Sequence, residues 1–228
     1  MDRFFIPAKS PEDWKPLLAK PDLHWKTGYS AKALAYCWQK AQCFPDSVVD
    51  VFRSSGIALF AHVEMLIAFP EYKVPLPGGT TESQPDIFIM AKGDGKLISI
   101  AVEGKALEGF GETINEWSIN KSPGKETRYN YLTDLLMLKN RNTAEIKYQL
   151  LHRTASALIQ AQIFNAQAAL MLVHAFSDDP QAYSDYQQFL NLFDVTNTQE
   201  NSLVFAKNIS GIDLYFAWVK GERKYLEV

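Results

Sequence analysis

Cysteine is scarce: Cys37 and Cys43 are the only two in 228 residues. Two thiols exclude a disulfide framework and a cysteine-rich zinc site, and reduced thiols suit a cytoplasmic protein. Long hydrophobic runs are lacking as well. The longest mainly apolar stretch, 56–69 (GIALFAHVEMLIAF), is too short to span a bilayer and contains His62 and Glu64, so no membrane partner is expected. The first residues, MDRFFIPAKSPEDWK, hold no apolar segment of the kind a signal peptide needs. There is no Gly-x-Ser-x-Gly elbow, Walker phosphate loop or His-Glu-x-x-His pair, and no internal repeat or low-complexity linker. A net charge of −3 speaks against a protein that coats nucleic acid by bulk charge.

What is present is an ordinary globular composition, 47% hydrophobic and 21% charged, with an uneven distribution of charge. Residues 121–153 hold seven Lys/Arg against three acids, whereas 177–200 hold five acids and no Lys or Arg. Such polarity could offer one basic surface to a polyanion, or simply mark two solvated helix faces.

The length suits a single unit of three parts: a helical N-terminal extension (1–46), a core (47–176) and a C-terminal extension packed on it (177–228). Ser10-Pro11 predicts a helix start and Ser30 opens a second helix, SAKALAYCWQKAQ. The pattern then predicts a helical region from Ser47 to about Phe69, interrupted near Gly56, and a short strand EYKVPL at 71–76. Strands IFIMA and KLISIAVEGK follow, joined by Gly93-Asp94-Gly95, a strong hairpin signal. Helices over about 125–139 and 144–164, a buried strand AALMLVHAF, a helix over 180–193 and two last strands complete an α/β chain.

The hairpin carries the chemistry. With Asp94-Gly95 as a two-residue turn, paired residue numbers sum to 189, so Asp86 faces Glu103 with Cβ atoms about 4.5–5.5 Å apart. Alternation puts Lys105 on the same face. Two acids so close repel unless one is protonated or a cation lies between them, and oxygen ligands without a Cys/His cluster suit Mg2+ or Mn2+. Glu-x-Lys occurs four times and Pro-Asp three times, but only Asp86 and Glu103 join two predicted strands in register.

Pro85-Asp86, sixteen residues, then Glu103-Gly104-Lys105, within a helix–three strands–helix–strand order, resembles the PD-(D/E)XK nuclease superfamily and its restriction-endonuclease-like αβββαβ core with a mixed sheet. The resemblance implies Asp86, Glu103 and the carbonyl of Gly104 as Mg2+ or Mn2+ ligands, with Lys105 assisting the attacking water. It implies a further acid from the first core helix, where Glu64 is the candidate, and a polar residue from the second, where Gln149 and Arg153 match, able to orient water or, for Arg153, to bind the substrate phosphate. The implied activity is hydrolysis of nucleic-acid phosphodiesters, DNA before RNA, by an enzyme that can work as a homodimer. Residues 106–146 are long for this fold, and Lys121, Lys125, Arg128, Lys139 and Arg141 are their candidate substrate contacts. Trp25, Tyr29 and Trp38 could stack on bases or pack in the core. His62 cannot share a helix face with Glu64, and Gln149, His152, Arg153, Ser156 and Gln160 form a polar stripe, whose blander reading is a solvent-facing one, for Ser156 and Gln160 before Arg153. Two other readings stay open: a non-catalytic nucleic-acid- or protein-binding module on the same fold, and a structural hairpin with charged rims.

Overall fold

Strand alternation decides the layering. In the computed structural model, which describes residues 8–228, successive strand residues feed two separate apolar clusters on opposite faces of one sheet. The elements follow in the order α1 (Pro21–His24), α2 (Ser30–Ala41), α3 (Asp46–Ser54), α4 (Ala58–Ala61), β1 (Val63–Pro70), β2 (Ile87–Gly93), β3 (Lys96–Lys105), α5 (Ile114–Trp117), α6 (Pro123–Leu135), α7 (Tyr148–Ile163), β4 (Ala168–Ala175), α8 (Pro180–Asn191), β5 (Ser202–Ile209) and β6 (Ile212–Lys220). The fold is α/β with a six-stranded mixed sheet of order β1-β2-β3-β4-β6-β5. Strands β3, β4 and β6 run parallel at its centre, flanked by antiparallel β2 and β1 on one side and β5 on the other.

Residues Ala169, Met171 and Val173 of β4 pack with α6, α7 and α8, while Ala168, Leu170 and Leu172 pack with α2 and α3. Burial on both faces explains why β4 reads as a continuous apolar run with no alternation. The two last strands belong to the same sheet as the core, since β6 pairs with β4 along its length.

The hairpin register is the expected one: Gly93 pairs with Lys96 and Ile87 with Val102. Asp94 (φ 45°) and Gly95 (φ 75°) both take positive φ, as a turn matched to strand twist requires. Two expectations fail just before it. The helix forecast to run to Phe69 stops at Ala61, and 63–70 form β1 instead. Apolar residues at both strand and helix spacing leave such a run ambiguous, and a bulge between Met65 and Ile67 breaks its alternation further. EYKVPL is not a strand beyond one isolated bridge, Val74 to Ser83. Pro75 and Pro77 cannot donate to a ladder.

A buried side-chain chain ties α2 to the centre of the sheet. Trp38 Nε1 donates to His174 Nδ1 at 3.0 Å, so the imidazole carries its proton on Nε2, 3.3 Å from Ser47 Oγ. His174 is fully buried, and burial pushes its pKa down to about 3. The unfolded chain binds this proton below about pH 6.5 and the folded one does not, so the stability His174 contributes is present above that pH and lost as pH falls toward 3. Urea denaturation should show wild-type stability falling between pH 7 and pH 5 by up to about 1.4 kcal/mol per pH unit from this group, and a shallower slope for His174→Gln. Equal slopes in the two proteins would remove His174 from the account.

Candidate functional site

The C-terminal end of β3 lays two charged side chains onto the face covered by α7. Glu103 and Lys105 are each only 3% exposed. Burying a carboxylate this deeply requires partners, and three are supplied. Lys105 Nζ donates to Glu103 Oε1 at 2.9 Å, Gln149 Nε2 donates to the same oxygen at 2.6 Å, and Arg153 Nε donates to Oε2 at 2.5 Å. Gln149 Oε1 in turn accepts from Lys105 Nζ at 2.9 Å. Gln149 and Arg153 stand one turn apart at the start of α7, which is why both reach the same acid. Burial raises the Glu103 pKa, but the charges and hydrogen bonds of Arg153 and Lys105 outweigh it and hold the carboxyl below its ordinary value.

Asp86 sits just before β2, across the ladder from Glu103 in the register that pairs Ile87 with Val102. Its Oδ2 accepts from the Gly104 N–H at 2.6 Å. A Cβ on Gly104 would lie 3.2 Å from that oxygen and 3.4 Å from Ser30 Cβ, so glycine gives the carboxylate and α2 room to approach the strand. Burial, and then the charge of Glu103, push Asp86 up to about 7.

A third acid joins them. Glu71 follows β1, its N–H donates to the Asp86 carbonyl at 2.8 Å, and Gln84 Nε2 donates to its Oε2 at 2.8 Å. Burial, and then Asp86, raise its pKa well above the ordinary value. Nothing in the sequence patterning singled out Glu71 among the four Glu-x-Lys strings. Once 63–70 is a strand, Pro70 pairs with Ile87 and the register carries Glu71 opposite Asp86.

Glu64, the acid expected from the first core helix, is instead on β1, paired with Lys92 near the hairpin turn. Six residue pairs separate it from the Asp86 end, roughly 20 Å, so it does not belong to this site. His62 caps α4 at the same remote end.

The stripe His152, Ser156 and Gln160 is not outward-facing. Ser156 and Gln160 are buried, and Ser83 Oγ gathers His152 Nδ1 (2.8 Å), Ser156 Oγ (2.8 Å) and Arg153 Nη1 (3.1 Å). This polar knot holds the Arg153 fork in place; Ser83 has no motif that would reveal it. His152 is a neutral imidazole here, its pKa held well below the ordinary value by burial and then by Arg153.

Of the basic run 121–153, Arg153 reaches the site, where it is bonded to Glu103; the candidate contacts from 121 to 141 do not converge on it. Arg128 is buried, donating from Nε to the Pro77 carbonyl at 2.9 Å, and Lys125 donates to the Trp117 carbonyl at 2.6 Å. Lys139 pairs with Asp134 and Arg141 with Asp194. Lys121 borders a separate cavity of about 680 Å³ between α5 and α6. Of these candidates from 121 to 141, none lines the cleft at Asp86; local carbonyls and neighbouring acids account for four of them. Among the aromatic candidates, Trp38 is core, Trp25 packs against it, and Tyr29 borders the cleft.

A cleft of about 570 Å³ opens over Glu71, Asp86, Glu103, Lys105, Gln149 and Arg153. A family model described as Domain of unknown function (DUF6946) matches residues 7–223. The chain belongs to that family. No curated protein and no solved structure matches it. Among the described residues of this DUF6946 chain, no helix is long and apolar enough to cross a membrane. Nor does any group of three or more His, Cys, Asp or Glu side chains among them stand close enough to hold a metal ion by side chains alone.

The DUF6946 site carries a charge imbalance. Glu71, Asp86 and Glu103 bring three potential negative charges against Lys105 and Arg153, and the excess falls on the Glu71–Asp86 pair. Because the Asp86 pKa is raised, the fold favours its protonated form, and stability is lost as pH rises from about 4 through about 7. Asp86→Asn should therefore raise the melting temperature at pH 8 in the presence of a chelator, on the order of 5 °C, and change it little at pH 4. Arg153→Met should have the opposite sign, leaving Glu103 short of a partner at a cost of about 3 kcal/mol.

Proposed function

We propose that this chain is a metal-dependent phosphodiesterase of nucleic acid, built on a restriction-endonuclease-like core. One observation carries the reading: Asp86, Glu103, Lys105 and Gln149 meet at the ends of two paired strands and the start of α7. With α4 and the inserted α5 and α6 set aside, the order α3-β1-β2-β3-α7-β4, with β3 and β4 parallel, supports it.

The residues fit a divalent cation through their charge. Glu71 and Asp86 are adjacent carboxyls with raised pKa values, and among the described residues neither has a cation hydrogen-bonded to it of the kind Glu103 enjoys. Asp86 and Glu103 would hold Mg2+ or Mn2+, with Glu71 in place of Glu64 as the neighbouring acid. Bound there, such an ion would polarise a phosphoryl oxygen and acidify a water. Lys105 Nζ, fixed between Glu103 and Gln149 and lying 4.7 Å from the Phe110 ring centroid, presents a positive charge to the developing phosphorane oxygens. Gln149 orients that ammonium, and Arg153 keeps Glu103 ionised and aimed.

A second reading, a non-catalytic module on the same fold, draws on the fact that both Glu103 oxygens already have protein partners. Titration calorimetry with Mn2+ separates the two. The wild type should bind Mn2+, and Asp86→Asn or Glu71→Gln should weaken binding at least tenfold; unchanged affinity in both would sink the metal site. In turnover assays with Mn2+, Lys105→Ala should reduce kcat by 100-fold or more, in the range removal of one charge-stabilising group costs, with a smaller loss for Gln149→Ala. Undiminished turnover in Lys105→Ala would contradict its role.

A further inference from the structure

The cleft is walled by the N-terminal segment, and this wall is tied down on both sides of Asp86. Gln84 Nε2 donates to the Leu17 carbonyl at 3.1 Å, and the Ser30 N–H donates to Glu108 Oε1 at 2.8 Å. Gln84 lies two residues before Asp86 and Glu108 three residues after Lys105, so the 18–30 segment is strapped past the site from one flank to the other. Leu18, Leu23, His24 and Tyr29 on this strap line the cleft. Glu108 and Glu112 stand among its other lining residues.

Charge narrows the choice of ligand. The acids lining the cleft are Glu71, Asp86, Glu103, Glu108 and Glu112, against Lys105 and Arg153, both already bonded to Glu103. A bound divalent ion would leave this lining acidic. Duplex DNA carries one phosphate per about 1.7 Å of axis, and proteins hold it by setting a Lys or Arg against each of several phosphates. No such row borders the cleft among the described residues; Lys125, Arg128, Lys139 and Arg141 are engaged elsewhere, and Lys121 borders the separate cavity between α5 and α6. Room for one or two phosphates remains. The wall also offers an aromatic face: Tyr29 is 37% exposed beside the cleft, and Tyr148 lines its far side. Aromatic rings hold bases that are free to unstack, whatever the sequence.

We propose that the cleft admits the free end of a single-stranded nucleic acid, one or two nucleotides deep, with the terminal base against Tyr29, and excludes continuous strands and duplex. The inference rests on the phosphodiesterase reading and specifies its substrate. A strapped, acid-lined cleft of about 570 Å³ has the size of a small-ligand pocket, not of a duplex groove.

The test is equilibrium binding, with Ca2+ present, of an internally labelled oligothymidylate as a linear strand, as the same strand circularised, and as a linear duplex with its complement. The linear strand should bind at least tenfold more tightly than the circle. Tyr29→Ala should weaken the linear strand by about tenfold, in the range of one lost base stack, and Tyr29→Phe should restore it. Equal affinity for circle and linear strand, tighter binding of duplex, or indifference to Tyr29→Ala would each overturn the proposal. Turnover of the same three ligands with Mn2+ reads the two claims apart. Hydrolysis of the circle would overturn the chain-end inference and leave metal-dependent hydrolysis standing. Tight, Tyr29-dependent binding of the linear strand without turnover would sustain it and count against hydrolysis.

Discussion

Everything at the cleft depends on the burial of one carboxylate. Glu103 lies in the parallel centre of the sheet, where an uncompensated charge would cost several kcal/mol, and the surrounding structure is arranged to prevent that. Arg153 and Lys105 bring two cations, Gln149 brings an amide, and Ser83 locks the arginine from behind. Those groups come from β3, from α7 and from the loop before β2, so the site forms only when the strand, the helix and the loop have docked together. Only the Lys105–Glu103 contact is local, two residues apart on one strand; the others join distant parts of the chain.

The same arrangement separates the three acids into two kinds. Glu103 is satisfied; Asp86 and Glu71 are crowded against it and against each other, and among the described residues their hydrogen bonds come from neutral donors, the Gly104 N–H and the Gln84 amide, with Arg153 acting on them at longer range. This division follows from geometry, because the cations stand on the α7 side of β3 while Asp86 turns toward Gly104 and α2. A site of this form combines a rigid, neutralised half with an electrostatically strained half. Strain of that sort belongs to places where a ligand or a proton completes the structure.

Sequence reasoning reached the rigid half and missed part of the strained one, for identifiable reasons. The Asp-Gly turn fixes register within a few residues, so the opposition of Asp86 and Glu103 and the position of Lys105 are legible from local chemistry alone. The i, i+4 spacing of Gln149 and Arg153 is legible in the same way, although their common target is not. Glu71 depends on β1 being a strand, and an apolar run such as VEMLIAFP offers no period that tells strand from helix. The misassigned helix put Glu64 forward in its place. The basic run misled for a different reason: composition counts cations but does not reveal that Arg128 is committed to the Pro77 carbonyl and Arg141 to Asp194. Ser156 shows that polar spacing on a helix need not mean exposure when a loop closes over it, and Gln160 is buried as well.

The internal pairing of Glu103 also sets an order of events. Because its counter-charges are part of the chain, the sheet and α7 can close around it during folding without waiting for an ion from solution, unlike small metal domains in which binding free energy is folding free energy. The Glu71–Asp86 half stays open to the cleft once the core has formed. An ion that enters there would be loaded into a finished scaffold and could exchange with its surroundings without unmaking it. A scaffold of this kind would stay folded whether or not an ion occupied its open half.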